Sequence, residues 1–125
     1  MSPTMLKGPE LAPRNGTAKR LVIFLHGLGA DGNDLLSIGP MMDLPDTHFA
    51  APNAPFPCDF GGGGYQWFSL QDRDPTRIVK EINIAAPILN AYIDAQMEKL
   101  QLAPKDVALI GFSQGSMMSL HTAFR

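Results

Sequence analysis

Val107-Ala108-Leu109-Ile110 runs straight into Gly111-Phe112-Ser113-Gln114-Gly115, and no other stretch constrains the fold of this 125-residue chain so tightly. Four apolar residues that include β-branched members read as a strand. Ser116 to Arg125 reads as the start of a helix. The chain must therefore turn sharply between them. Glycines at the first and fifth positions remove the side chains that would collide with strand and helix. A serine at the centre of such a turn is held away from its own backbone. Its hydroxyl is a poor nucleophile that has to meet a base and a substrate together. The turn also aims the Gln114 N–H at charge developing beside the serine, at a helix N-terminus whose dipole favours an anion. Gly-x-Ser-x-Gly alone is only suggestive, but the strand before it and the helix after it supply the expected context of a nucleophile turn, with Ser113 as the attacking residue.

Leu21 to Leu25 is a continuous apolar run and reads as a strand buried on both faces. It stops at His26-Gly27-Leu28-Gly29, a loop. An oxyanion hole needs two N–H donors, and the loop after such a strand supplies one of them. Leu28 is the expected donor beside Gln114, with Gly27 and Gly29 letting the backbone approach a substrate. His26, at the strand end, is expected to brace the loop rather than take the serine proton.

The rest of the chain fits around these two loops. Asn15-Gly16 suggests a hairpin leading into Leu21–Leu25. A helix is expected over Asn33 to Met42, capped by Asp31 or Asn33. Thr47 to Ala51 reads as a strand, ended by Pro52, Pro55 and Pro57. Residues 58–74 are irregular: Gly61 to Gly64 precede Tyr65-Gln66-Trp67-Phe68, a loop length that usually serves a site. Asp74-Pro75 opens a helix whose apolar face is Ile78, Ile82, Ala85, Leu89, Ile93 and Leu100, with a kink expected near Pro87. Strands alternating with helices imply an α/β fold, a mostly parallel sheet with helices on both faces and its active loops at the C-terminal ends of the strands.

Composition excludes other classes. A net charge of -2 offers no basic surface for nucleic acid. Leu21–Leu25 is too short to span a bilayer or to form a signal-peptide core. One cysteine, Cys58, allows no disulfide within the chain, so a cytoplasmic location is the default. Cys58 itself reads as a small apolar residue of a loop or pocket.

The chain resembles the phospholipase/carboxylesterase family of α/β-hydrolases, which includes acyl-protein thioesterases and small bacterial carboxylesterases. The resemblance is carried by Leu21 to Leu25 with His26-Gly27-Leu28-Gly29-Ala30-Asp31-Gly32, by Ala51-Pro52-Asn53-Ala54-Pro55, by Trp67-Phe68, and by Gly111 to Met118. It implies hydrolysis of a small carboxylic ester, with thioesters and lysophospholipids as the wider set, without cofactor or metal. It also implies that Leu28 and Gln114 supply the oxyanion N–H groups and that Trp67 and Phe68 border the acyl pocket. For those two, simple loop packing is the equal alternative.

Such enzymes place the acid and then the histidine after the serine. Gln114 to Arg125 contain no carboxylate, and His121 lies about two helical turns beyond Ser113. Residues 1–125 are therefore expected to be a single incomplete α/β-hydrolase domain, the N-terminal part of the fold with its later strands missing. Val107–Ile110 would then be an open sheet edge able to self-associate. Two functions compete: a serine ester hydrolase acting through an acyl-enzyme, and a non-catalytic fragment that pairs with itself or a complementary chain. A hydrolase of another family, such as a lipase or peptidase, is a third and weaker alternative.

Overall fold

The computed structural model of the chain describes residues 5–123. A four-stranded sheet lies at its centre. β1 (Glu10–Leu11), β2 (Arg20–Leu25), β3 (Thr47–Ala50) and β6 (Val107–Gly111) form it in the order β1-β3-β2-β6. β2 is parallel to both neighbours, with Ile23 opposite Ala50 on one side and Leu109 on the other, while β1 is antiparallel to β3. The expected mostly parallel sheet is present, and β6 is its outer strand among the described residues.

The alternation of β2 divides the core in two. Leu21, Ile23 and Leu25 face Ile82, Ala85, Leu89 and Ile93 of α2 (Pro75–Leu100) and Met118 of α3 (Gln114–Ala123). Val22 and Phe24 face the other way, against Leu36 of α1 (Asn33–Leu36), Phe49 and Ala51. The Phe24 and Phe49 rings stack with centroids 5.9 Å apart. Helices thus cover both faces, and a fully buried Leu, Ile or Phe contributes about 1.5–3 kcal/mol.

α2 begins as its sequence dictates: the Asp74 carboxylate accepts the Thr76 N–H at 3.1 Å, and Pro75 fills the first position. It runs unbroken through Pro87. Both Pro87 and Asn83, whose carbonyl loses its helical donor there, are exposed, so water can satisfy the freed group. The expected α3 begins at Gln114, two residues earlier than the sequence suggested, and its expected last residues, Phe124 and Arg125, lie outside the described ones. No helix among the described residues is long and apolar enough to cross a membrane.

Several local expectations are corrected. Asn15-Gly16 forms a turn, but not a hairpin into β2: β1 pairs with β3, which sits between β1 and β2. The Asn15 N–H instead reaches the Pro45 carbonyl at 3.1 Å. The single helix over Asn33 to Met42 is two pieces, α1 and a 3-10 turn at Gly39–Met42. Pro40 has no N–H to give the Leu36 carbonyl, so the helix cannot continue. Neither expected residue is the α1 cap: Gly32 holds that position without a side-chain bond, and the Asp31 carboxylate one residue earlier accepts the Asn33 N–H at 2.9 Å. Residues 58–74, expected to be irregular, include β5 (Tyr65–Gln66), which pairs antiparallel with β4 (Phe56–Pro57). Cys58 is half-buried in the loop between those strands.

Candidate active site

The C-terminal ends of β2 and β6 bring the two sequence motifs together. β6 ends at Gly111, level with Leu25 of β2, and the Phe112 N–H donates to the Leu25 carbonyl at 3.0 Å. Ser113 follows in the left-handed region at φ 57°, and α3 starts at the next residue. A side-chain-bearing residue is strained there by roughly 1–2 kcal/mol. The turn is closed by Gly115 N–H to the Phe112 carbonyl and Ser116 N–H to the Ser113 carbonyl, both 2.9 Å, and by the Ser116 hydroxyl on the Gly111 carbonyl at 2.8 Å.

Close backbone approach explains the glycines. A Cβ on Gly115 would run into the Leu25 carbonyl and lie 2.9 Å from the His26 carbonyl. A Cβ on Gly27 would lie 3.2 Å from the Phe112 ring and 3.3 Å from Ser113 Cβ, tighter than ordinary contact. The loop after β2 therefore lies directly against the Ser113 turn. Ser113 is exposed and Leu28 half-buried. Among the described residues, no intrachain acceptor takes the Leu28 or Gln114 N–H, and the Ser113 hydroxyl has no hydrogen-bond partner.

The three histidines are occupied elsewhere or distant. Buried His26 gives its Nδ1–H to the Gly27 carbonyl at 2.7 Å and accepts the Ala54 N–H on Nε2 at 2.9 Å. A carbonyl can only accept and an N–H only donate, so the neighbours select this neutral tautomer. Burial, partly opposed by the Gly27 bond, pushes the imidazole below its usual range. His26 braces its loop, as its position at the strand end suggested. His48 is bound to Glu10 at 2.7 Å on the β1 side of the sheet. Lys99 also reaches Glu10, at 2.8 Å; burial opposes ionisation of that carboxyl, but these bonds together hold it below the usual range. His121 sits in the last turn of α3. No group of three or more His, Cys, Asp and Glu among the described residues is gathered as a metal site would require.

Trp67 and Phe68 are wholly buried, at 0% and 1% exposure, within the α2-side core. The Trp67 indole N–H donates to the His26 carbonyl at 3.0 Å. Sequence reasoning noted Gln114 for its backbone alone and missed its side chain. Oε1 accepts the Trp67 N–H at 3.0 Å, and Nε2 donates to the Phe68 carbonyl at 2.8 Å. These partners lie 46 and 47 positions away, beyond the reach of any local pattern.

Known proteins share this fold. The chain is 28% identical to acyl-protein thioesterase 1 homolog 1 of Dictyostelium discoideum, covering 99% of this chain and 58% of that one. Esterase PE8 has a crystal structure that superposes with a TM-score of 0.89 at 43% identity, covering 95% of this chain and 57% of that one. The Bacillus cereus carboxylesterase, at 18% identity, shares the fold with a TM-score of 0.75 over 94% of this chain. The chain thus spans little more than half the length of the relatives it matches. The family model described as phospholipase/carboxylesterase matches residues 6–125, taking in β2, its loop and the Ser113 turn alike. A match over almost the full chain, on the elements that build the two adjoining loops, makes this chain a member of the phospholipase/carboxylesterase family of serine hydrolases, with the α/β-hydrolase fold.

Proposed function

We propose that Ser113 is the nucleophile of a carboxylic-ester hydrolase working through an acyl-enzyme, with the Leu28 and Gln114 N–H groups as oxyanion donors. The carrying observation is Ser113 itself, exposed and left-handed between β6 and α3, with the Gly27–Gly29 loop against it. Attack of its hydroxyl on the ester carbonyl places a negative charge on the carbonyl oxygen. Two N–H groups with no intrachain acceptor are suited to receive it, and removing one such donor costs ~10²–10³ in kcat. Collapse releases the alcohol, and water then attacks the acyl-serine. Thioesters and lysophospholipids enter the same scheme through a different leaving group. Trp67 and Phe68 reach the site through the backbone that Gln114 holds, while their wholly buried rings pack in the α2-side core, as the packing alternative has it. We assign the acid and base to residues other than His26, His48 and His121, since the first two are bonded elsewhere and the third is about 12 Å along a helix from Ser113.

The test is hydrolysis of p-nitrophenyl butyrate by the 125-residue chain and by the same chain joined to the remainder of esterase PE8, the part of that protein which this chain does not cover. The joined form should turn over and lose that turnover on Ser113→Ala. The short chain should be weaker by several orders of magnitude, because loss of the base alone costs about 10⁶ in a comparable triad. Equal rates for the two, both abolished by Ser113→Ala, would refute the assignment of the base outside the three histidines.

A second activity is favoured by the sheet edge. β6 has no outer partner among the described residues, and a cavity of about 570 Å³ lined by Ile93, Met97, Leu109 and Leu120 opens beside it. Leu120 and Phe112 are exposed at 62% and 63%. An unpaired strand flanked by apolar surface supports association through Val107–Ile110, with a second copy or a complementary chain.

A further inference from the structure

The segment Tyr65–Phe68 is tied to both loops of the site. Its first residue holds the loop after β2: the Gly29 N–H donates to the Tyr65 carbonyl, and the Tyr65 N–H to the Ala30 carbonyl, each at 2.9 Å. Its third holds the end of β2, through the indole N–H on the His26 carbonyl. Its last two residues are held by the Gln114 side chain, on the other loop. No backbone hydrogen bond among the described residues joins this segment to the Ser113 turn, so the Gln114 amide makes the polar connection.

We propose that the Gln114 side chain is a positioning clamp, fixing the spacing and rotation of the Ser113–Gln114 turn relative to the Gly27–Gly29 loop through Tyr65–Phe68. The proposal rests on the assignment of Ser113 as nucleophile. Gln114 is 3% exposed. An apolar residue of similar volume would fill that space without the cost of burying an amide. What the amide adds is direction. Its oxygen meets a donor and its nitrogen an acceptor, so only one orientation satisfies both. The same residue carries a proposed oxyanion N–H at the first position of α3. A displacement of that N–H by about 1 Å costs on the order of 10²-fold in rate. Gln114 would thus serve the site twice, its backbone touching the oxyanion and its side chain holding that backbone in place.

The experiment uses the joined, catalytically complete form described above, with p-nitrophenyl butyrate as substrate and phenylboronic acid as tetrahedral mimic. Gln114→Met keeps the volume and removes both bonds. It should lower kcat about 10²-fold and raise the phenylboronic acid Ki by a similar factor, with KM changed by less than about threefold. Gln114→Glu sets a carboxylate oxygen against the Phe68 carbonyl, acceptor to acceptor. Burial raises a carboxyl's pKa, so acid restores a donor at that position. Its kcat relative to the unsubstituted protein at the same pH should therefore recover between pH 8 and pH 5.5, while the Gln114→Met ratio stays flat. Filling of space would not produce that pH profile. If neither variant folds, Trp67→Phe tests the other end of the clamp: it removes the indole bond to His26 and part of the ring volume in the core, and should lower kcat by roughly fivefold at constant KM. A Gln114→Met variant with kcat and Ki within about threefold of the parent would overturn the proposal. So would a Gln114→Glu ratio as flat as that of Gln114→Met, or an unchanged kcat in Trp67→Phe. Activity surviving Ser113→Ala would instead overturn the nucleophile assignment beneath it.

Discussion

Strain at Ser113 can be measured apart from chemistry by comparing two substitutions that both remove the hydroxyl. The residue sits at φ 57°, is exposed, and has no side-chain hydrogen bond among the described residues. Ser113→Ala therefore loses no bond and keeps the strain, and its stability should lie within about 0.5 kcal/mol of the parent. Ser113→Gly relieves the strain. The left-handed conformation costs an L-residue roughly 1–2 kcal/mol. Glycine gives back about 0.4–1 kcal/mol through the greater freedom of its unfolded chain. Taking the middle of each range, the glycine variant should exceed the alanine variant by about 0.8 kcal/mol. For a chain of this length that is a rise in Tm of about 3 °C.

Urea unfolding followed by circular dichroism, with thermal melts beside it, reads the difference directly. Two internal controls calibrate it. Gln101, exposed at the end of α2, has φ 56°, so Gln101→Gly should give a similar gain far from the site. Ser37, at the end of α1, has φ -63°, so Ser37→Gly should give none and should cost about 0.5–1 kcal/mol. The strain account of the turn is wrong if Ser113→Gly is no more stable than Ser113→Ala while Gln101→Gly shows its gain.

The remaining expectations concern the frame around that turn. Gly115→Ala should destabilise the protein by about 1–3 kcal/mol or more and abolish turnover in the joined form, because its Cβ meets β2 backbone that cannot yield; near-parent stability would contradict the packing. His26 is held neutral, with a folded pKa below its unfolded 6.5. The unfolded state then binds more protons, so His26 adds stability that is complete above pH 6.5 and declines as pH falls through the folded value. An NMR titration of its ring should show a midpoint below 6.5, and a midpoint above it would reverse the sign. Ala108→Lys, a charge on the exposed side of β6, should shift any sedimenting dimer of the 125-residue chain toward monomer; an unchanged dimer would place the contact elsewhere.

The elements most legible in the sequence were those whose physics is local. Leu21–Leu25 announced a doubly buried strand because every residue in it is apolar, and all five are buried. Asp74-Pro75 announced a helix start because cap and first turn are satisfied within three residues. The Gly111–Gly115 turn was legible for the same reason: two glycines four positions apart record collisions that occur within the turn and with the strand beside it. Asn15-Gly16 was legible only as a turn. A tight turn fixes its own backbone, not which strands pair across it, and β3, formed thirty residues later, takes the place beside β2.

The side-chain network at the site was hidden for a related reason. Apolar periodicity reports which face of an element is buried, whereas Gln114, Trp67 and His26 are joined by hydrogen bonds between loops that meet only after the sheet has formed. Trp67-Phe68 and Gln114 each looked self-sufficient: an aromatic pair in an irregular loop, and an amide flanked by the serine and a glycine. Folding gives each a second use. The aromatic rings fill the core against α2, and the backbone beneath them supplies the donor and acceptor that satisfy the amide. That double use explains why a polar side chain can be buried at the first position of α3 without leaving an orphaned group. It also links stability to chemistry at this point: a change that loosens the aromatic packing must also loosen Gln114, and with it the N–H group beside Ser113.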